Sequence, residues 1–367
     1  MQSSKAVLLT LACSAVIALS SVRANAEEQV VNIYNWANYI DPEVLKSFER
    51  DTGIRPIYDV YDSNETLEGK LLSGNTGYDL VVPSNNFLGH QIQAGVFRKL
   101  DKRRIPNLKE LDPGLMRQLE TNDPGNLHGV PYLWASTGIV YNVDKVKAAL
   151  GDTPPDSWAL LFEPQNMEKL AQCGVAFLDS ADEVLNTALL YLGIDPNAAS
   201  EADYRKAEAQ LMKVRPHIAY FNSVKYTADL ANGDICVALA YSGDAGQASE
   251  RANEAGNGIR ISYLLPKEGG KVAFDLMAIP ADARHPENAE AFINYVLAPK
   301  VMARITDYVR YPNAVPASRA FMDPAAAQDP IIHPPPEAMG KLVVLKPQPQ
   351  KMMRLQTRIW NRIKTGI

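Results

Sequence analysis

Three carboxylates and four aromatic rings are the residues of this chain best placed to do chemistry. Asp244 closes Ala240-Tyr241-Ser242-Gly243-Asp244, directly after an apolar run. Phe274-Asp275 sits inside another apolar run, where a lone carboxylate costs several kcal/mol unless it is paired. Glu183 follows a third such run, at what reads as a helix start. Taken singly, each has a structural explanation: a helix cap for Glu183, a turn acid for Asp244, a buried ion pair for Asp275. Joined by Trp36, Tyr39, Tyr241 and Phe274, they describe an acidic cleft with aromatic walls. Such a cleft suits a flexible organic cation. Ring faces attract ammonium groups and cover methylenes, while carboxylates fix the charged ends.

Other chemistries find little support. There is no Gly-x-Ser-x-Gly, no His-Glu-x-x-His and no phosphate-cradling Gly-Lys-Ser/Thr loop. The histidines, His90, His128, His217, His285 and His333, are scattered, and no two have a metal-ligand spacing. The expectation is therefore a binding protein, not an enzyme, with no metal and no cofactor.

The elements that must position these groups read as alternating strands and helices. Val31-Asn32-Ile33-Tyr34-Asn35-Trp36 alternates like a half-buried strand, then breaks into the loop Ala37-Asn38-Tyr39. A loop of aromatics and amides at the carboxyl end of a first strand is where open α/β sheets place ligands. Asp41 can cap a helix with Pro42 at its first position, and Gly53 can stop it. Ile57 to Tyr61 reads as a second strand, Asn64 to Leu72 as a helix and Tyr78 to Ser84 as a third, buried strand. This order predicts a parallel sheet. Leu133 to Asn142 reads as a long strand, and Pro154-Pro155-Asp156-Ser157-Trp158 as a loop into a helix-rich unit. Within that unit Gly174 to Asp179 and Ile235 to Tyr241 read as buried strands. Ile261 to Pro266 and Lys271 to Pro280 read as a pair of strands around Gly269-Gly270, followed by helices at Pro286 to Leu297 and Gln350 to Ile363.

At 367 residues the chain can form two domains with sizeable cores. Its formal charge of -5 argues against a nucleic-acid partner. Lys5, an apolar run from Ala6 to about Leu19, and Ala24-Asn25-Ala26 read as an export signal over residues 1–26. Its removal takes away Lys5 and Arg23 and no acid, leaving a charge of -7. Thr10-Leu11-Ala12 makes a poor lipoprotein site before Cys13. Cys173 and Cys236 then remain in an oxidising compartment, where a pair usually closes; two buried free thiols are the alternative.

At these residues the chain resembles the putrescine/spermidine-binding periplasmic proteins of ATP-driven polyamine importers, over nearly its whole mature length. The resemblance rests on Ile33-Tyr34-Asn35-Trp36 leading to Tyr39-Ile40, Tyr78 to Ser84, Tyr141-Asn142-Val143-Asp144-Lys145-Val146 and Asp229-Leu230-Ala231-Asn232-Gly233-Asp234. It implies an α/β, two-lobed periplasmic binding protein of type II-like build, with mixed sheets flanked by helices and two crossing strands. The first lobe would comprise 27–136 and 259–310, the second 137–258, and 311–367 would form a helical tail. The resemblance further implies a periplasmic monomer that takes a small cationic ligand and docks on an inner-membrane ABC permease. Trp36 and Tyr39 would be aromatic walls, with Asn38 in the same loop. Ser84 would be a hydrogen-bonding group, Glu183 and Asp244 ammonium-binding acids, and Tyr241 a wall. Phe274 and the central carboxylate Asp275 would lie at the crossing, and Ser223 and Tyr311 would complete the set. Cys173 and Cys236 fall where relatives carry a disulfide.

The departures are informative. Where relatives often read Trp-Ser-Asp-Tyr or Trp-Thr-Glu-Tyr, this chain reads Trp36-Ala37-Asn38-Tyr39. Gly246 stands where several members have a Trp, Ala273 where an aromatic is possible, and Arg310 adds a cation near the cleft. These changes fit either drift on a putrescine receptor or a roomier, less acidic site for a monoamine, an amino-acid-like or a modified polyamine. A polyamine sensor docking on a membrane signalling partner would use the same site.

Overall fold

The structure, a computed structural model, describes residues 29–151 and 156–366. The export signal and the Pro154-Pro155 turn lie outside the described residues. Ten strands occur among the described residues: β1 (Val30–Trp36), β2 (Arg55–Tyr61), β3 (Leu80–Val81), β4 (Gly129–Asn142), β5 (Val175–Phe177), β6 (Tyr220–Phe221), β7 (Val237–Tyr241), β8 (Ile261–Leu264), β9 (Gly270–Ala278) and β10 (Leu342–Val344). They form one mixed sheet in the order β2-β1-β3-β9-β4-β7-β5-β6, with β10 beside β9 and β8 beside β4.

The 14-residue strand β4 ties two halves together. Gly129 to Ser136 pairs with β9, whereas Thr137 to Asn142 pairs with β7 and β8. The first half holds parallel β1, β2 and β3, with antiparallel β9 beside β3. In the second half β5 runs parallel to both β6 and β7. The chain crosses between halves through the middle of β4 and again between β8 and β9. One correction follows: β8 and β9 are not partners of each other but both lie antiparallel to β4. Ordinary hairpin reasoning across Gly269-Gly270 fails because the turn spans the junction.

Local sequence signals explain many of the element ends. Asp41 accepts from the Glu43 amide and Pro42 opens the helix, which stops at left-handed Gly53. The third strand is shorter than its apolar run because Pro83 has no amide to donate and Ser84 already starts a turn into the helix Asn85–Gln93. Separate apolar cores fill the two halves. One packs Ile33, Phe48 and Val130 against Phe292 and Ile305. The other packs Phe162, Phe177, Leu189 and Leu239 against Trp360 and Ile363 of the final helix, Gln350–Thr365. Cys173 and Cys236 form a disulfide with Cα atoms 5.5 Å apart, bridging the loop before β5 to the start of β7. Among the described residues no helix is long and apolar enough to cross a membrane.

Candidate functional site

The carboxyl ends of the parallel strands in both halves converge on one cleft, the place where open α/β sheets leave ligand crevices. β1 delivers Trp36 and Tyr39, β2 delivers Tyr61 and Asp62, and the turn after β3 delivers Ser84. From the second half, β5 leads through the cap Ser180 to Glu183 in the first turn of the helix Ala181–Tyr191. β6 leads to Ser223, and β7 to Tyr241 and then Asp244 in the first turn of the helix Ser242–Ala255. These groups enclose a cavity of about 50 Å³.

At its centre Asp275 is almost wholly buried, and its carboxylate accepts hydrogen bonds from Tyr39 Oη at 2.7 Å and Ser84 Oγ at 2.6 Å. Asn64 braces Ser84, donating from Nδ2 to Oγ at 2.9 Å and accepting the Ser84 amide at 3.0 Å. Burial pushes the Asp275 pKa up to about 7, and the Ser84 and Tyr39 bonds only partly oppose it. Asp244 accepts from Tyr311 Oη at 2.6 Å and from Tyr226 Oη. Burial raises its pKa too, against the pull of both hydroxyls. Among the described residues no ion pair reaches either carboxylate, so both are held by neutral donors.

The aromatic walls are braced as well. Trp36 donates Nε1 to the Val82 carbonyl at 2.9 Å and leans on Tyr61, with ring centroids 4.7 Å apart. Tyr39 meets Tyr311 edge-on at 4.9 Å, and Tyr132 Oη donates to the Tyr39 carbonyl at 2.7 Å. Gly243 is required here: a Cβ would stand 2.3 Å from the Tyr311 ring.

Of the eleven residues singled out in the sequence, Trp36, Tyr39, Ser84, Glu183, Ser223, Tyr241, Asp244, Asp275 and Tyr311 line this cavity. Phe274 and Asn38 do not. Successive strand residues face opposite sides, so with Asp275 in the cleft Phe274 must point away. It packs with Val81, Leu88 and Leu276, and its ring lies 6.0 Å from Trp134. Asn38 takes the left-handed backbone (φ 56°) that Asn tolerates, which leaves its side chain exposed. Arg310 also turns away, donating to Glu250 from Nε at 2.8 Å and Nη2 at 2.6 Å. It covers Gly246, where a Cβ would meet Arg310 Cβ at 2.7 Å. The space a bulky residue would need at 246 is thus filled from 310.

Sequence reasoning missed Tyr61, Asp62 and Lys271. The first two were discoverable, since β2 ends beside Trp36 by the same strand-end logic. Lys271 is buried and donates Nζ to Glu183 Oε1 at 2.5 Å and to Asp182. Burial alone would pull its pKa down, but Asp182 and Glu183 hold it above the usual lysine value. A larger hollow of about 480 Å³ lies between the helices Asn64–Leu72 and Asn85–Gln93 and the final helix. Of its three acids, Glu68 and Asp182 are matched by His90 and Lys271, while burial and the neighbouring Asp182 push the Glu65 pKa up to about 7; the hollow lacks the converging rings of the smaller cleft.

Two half-sheets joined by crossing strands, with a cleft at their strand ends, define a periplasmic-binding-protein fold. The chain belongs to the bacterial extracellular solute-binding protein family, whose model matches residues 43–334. It is 50% identical to the putrescine-binding periplasmic protein SpuD of Pseudomonas aeruginosa, over 98% of this chain and 97% of that one. Identity to the putrescine-binding periplasmic protein PotF of Escherichia coli is 49%, over 97% of each. A solved structure described as a putative spermidine/putrescine ABC transporter from Listeria monocytogenes superposes with a TM-score of 0.82 at 29% identity, covering 92% of this chain and 99% of that one.

Proposed function

We propose that this protein is a periplasmic receptor that captures a putrescine-like amine and delivers it to an ABC permease. The observation that carries the reading is Asp275, a buried carboxylate with hydroxyl donors and, among the described residues, no ion pair, set among ring faces. A ligand ammonium would supply the missing charge, and Trp36, Tyr39 and Tyr241 would cover its methylenes. The names of the 49–50% identical relatives support the same ligand class.

In this reading the halves act as a clamp hinged at the two crossings, and no bond is made or broken. Contacts from Tyr311 to Asp244 and from Gln247 Nε2 to the Val309 carbonyl at 2.9 Å would close with the ligand inside. Calorimetric titration with putrescine, cadaverine, spermidine and simple monoamines tests the proposal. Binding of at least one at micromolar or tighter affinity is expected; no binding by any organic cation would refute it.

A further inference from the structure

Asp62 stands exposed at the rim of the cleft, and the three other carboxylates that line it are held in two different ways. Asp244 and Asp275 rest on tyrosine and serine hydroxyls. Glu183 has a cation: Lys271 donates to Oε1 at 2.5 Å, while Thr137 Oγ1 donates to Oε2 at 2.6 Å. Both of its oxygens are therefore already engaged, one of them by an ammonium.

Lys271 is not a surface residue that strays inward. Its side chain is 1% exposed, and it shares one face of β9 with Ala273 and Asp275 because alternate strand residues point the same way. Ala273 and Asp275 line the cleft directly, and Lys271 reaches it through Glu183. The three charges Asp182, Glu183 and Lys271 sum to one negative, whereas without the lysine they would leave two.

Building on the receptor function proposed above, we propose that Lys271 is a specificity-determining residue whose ammonium occupies, on Glu183, the position a second ligand ammonium would take. The cleft then reads ligand charge at Asp244 and Asp275 and not at Glu183. An ammonium brought to Glu183 meets the Lys271 charge and gains little, so a ligand end that lies against Glu183 can be neutral. The ligand class is an alkylamine with one recognised ammonium, including monoamines and amines whose other end is uncharged.

The test compares putrescine with butylamine and 4-aminobutanol by titration calorimetry. The unaltered protein should favour the diamine by less than about tenfold. The double variant Lys271→Met/Asp182→Asn keeps the charge of the cluster at one negative but frees Glu183. Its diamine-to-monoamine affinity ratio should rise by at least about tenfold. Should that variant fail to fold, Glu183→Gln gives an independent reading. It should change the affinities for diamine and monoamines by the same factor, because Glu183 does not count ligand charge. An unmoved ratio in the double variant overturns the inference, as does a Glu183→Gln variant that selectively loses the diamine. Absence of binding by any amine would overturn the receptor reading and this inference with it, whereas amine binding with an unmoved ratio overturns the inference alone.

Discussion

Amine binding should become tighter with rising pH and level off near neutrality. Burial pushes the Asp275 pKa up to about 7, so at pH 5 the carboxyl is almost fully protonated. An alkylammonium stays charged throughout this range, and it prefers the carboxylate. Each pH unit below the Asp275 value therefore weakens binding about tenfold, or about 1.4 kcal/mol. Two units below, at pH 5, the loss is about 100-fold, or close to 3 kcal/mol, before Asp244 adds its own share in the same direction. Titration calorimetry at pH 5, 6, 7 and 8, run in buffers of different ionisation heat, measures both affinity and proton release. About half a proton should leave on binding at pH 7. Asp275→Asn should flatten the profile and cost more than about 2 kcal/mol of binding at pH 8, as removing one partner of a buried charge pair does. Stability of the ligand-free protein should move the opposite way. With a folded-state pKa raised from 3.8 to about 7, the folded chain holds the proton more tightly than the unfolded one. The stability this gives is present at low pH and is lost as pH rises through that window, by up to about 4 kcal/mol. Affinity constant within about threefold from pH 5 to 8, with no proton release, would refute the assignment of Asp275 as the buried ligand-reading acid.

Three further perturbations follow from the packing. Tyr311→Phe removes one of the two hydroxyls on Asp244 and should lower unfolding free energy by about 1.5–3 kcal/mol, the usual range for a hydrogen bond to a charged group; urea denaturation at pH 8 reads it. Gly246→Trp should depress the melting temperature because its Cβ meets Arg310, and Arg310→Ala in the same chain should recover part of the loss; additive effects in the double-mutant cycle would contradict the steric account. Cys173→Ser/Cys236→Ser should cost about 4 kcal/mol on the chain-entropy account for a 63-residue separation, measured against the oxidised protein by denaturant unfolding, and an unchanged midpoint would count against it.

How much of this was legible in the sequence depends on how local each signal is. Caps and stops such as Asp41-Pro42 and Gly53 act within a few residues, so the helix they bound was readable. Strand ends were readable too, and because ligand sites collect at the carboxyl ends of parallel strands, Trp36, Tyr241 and Asp244 could be picked out from the residues themselves, whereas Ser84 came through the family resemblance. Phe274 was misassigned by ignoring alternation: an adjacent pair within a strand cannot both face one cleft. Asn38 required a backbone angle that sequence suggests only weakly. The Lys271–Glu183 pair lies 88 positions apart on different elements, and no periodicity joins them. A lysine opening an apolar strand was the one available hint, since such a residue is rarely buried without carboxylates around it.

The hydroxyl-held acids also differ from Glu183 in what they can offer a cation. A buried carboxylate paired to a lysine is electrically complete and has little to offer a cation; one bonded only to hydroxyls keeps its charge, or keeps a proton in its place. Asp275 draws its donors, Tyr39 and Ser84, from its own half of the sheet, so its environment is built before any closure. Asp244 is different. Tyr226 belongs to its own half, but Tyr311 packs in the core of the other, so the bond from Tyr311 spans the two halves. Separating the halves removes that donor and admits water to Asp244, which favours its ionised form. Asp275 therefore supplies a preformed well for the ligand ammonium, while Asp244 gains its second donor only when the halves meet. On the clamp reading proposed above, a ligand that engages both acids would favour the closed arrangement through that difference.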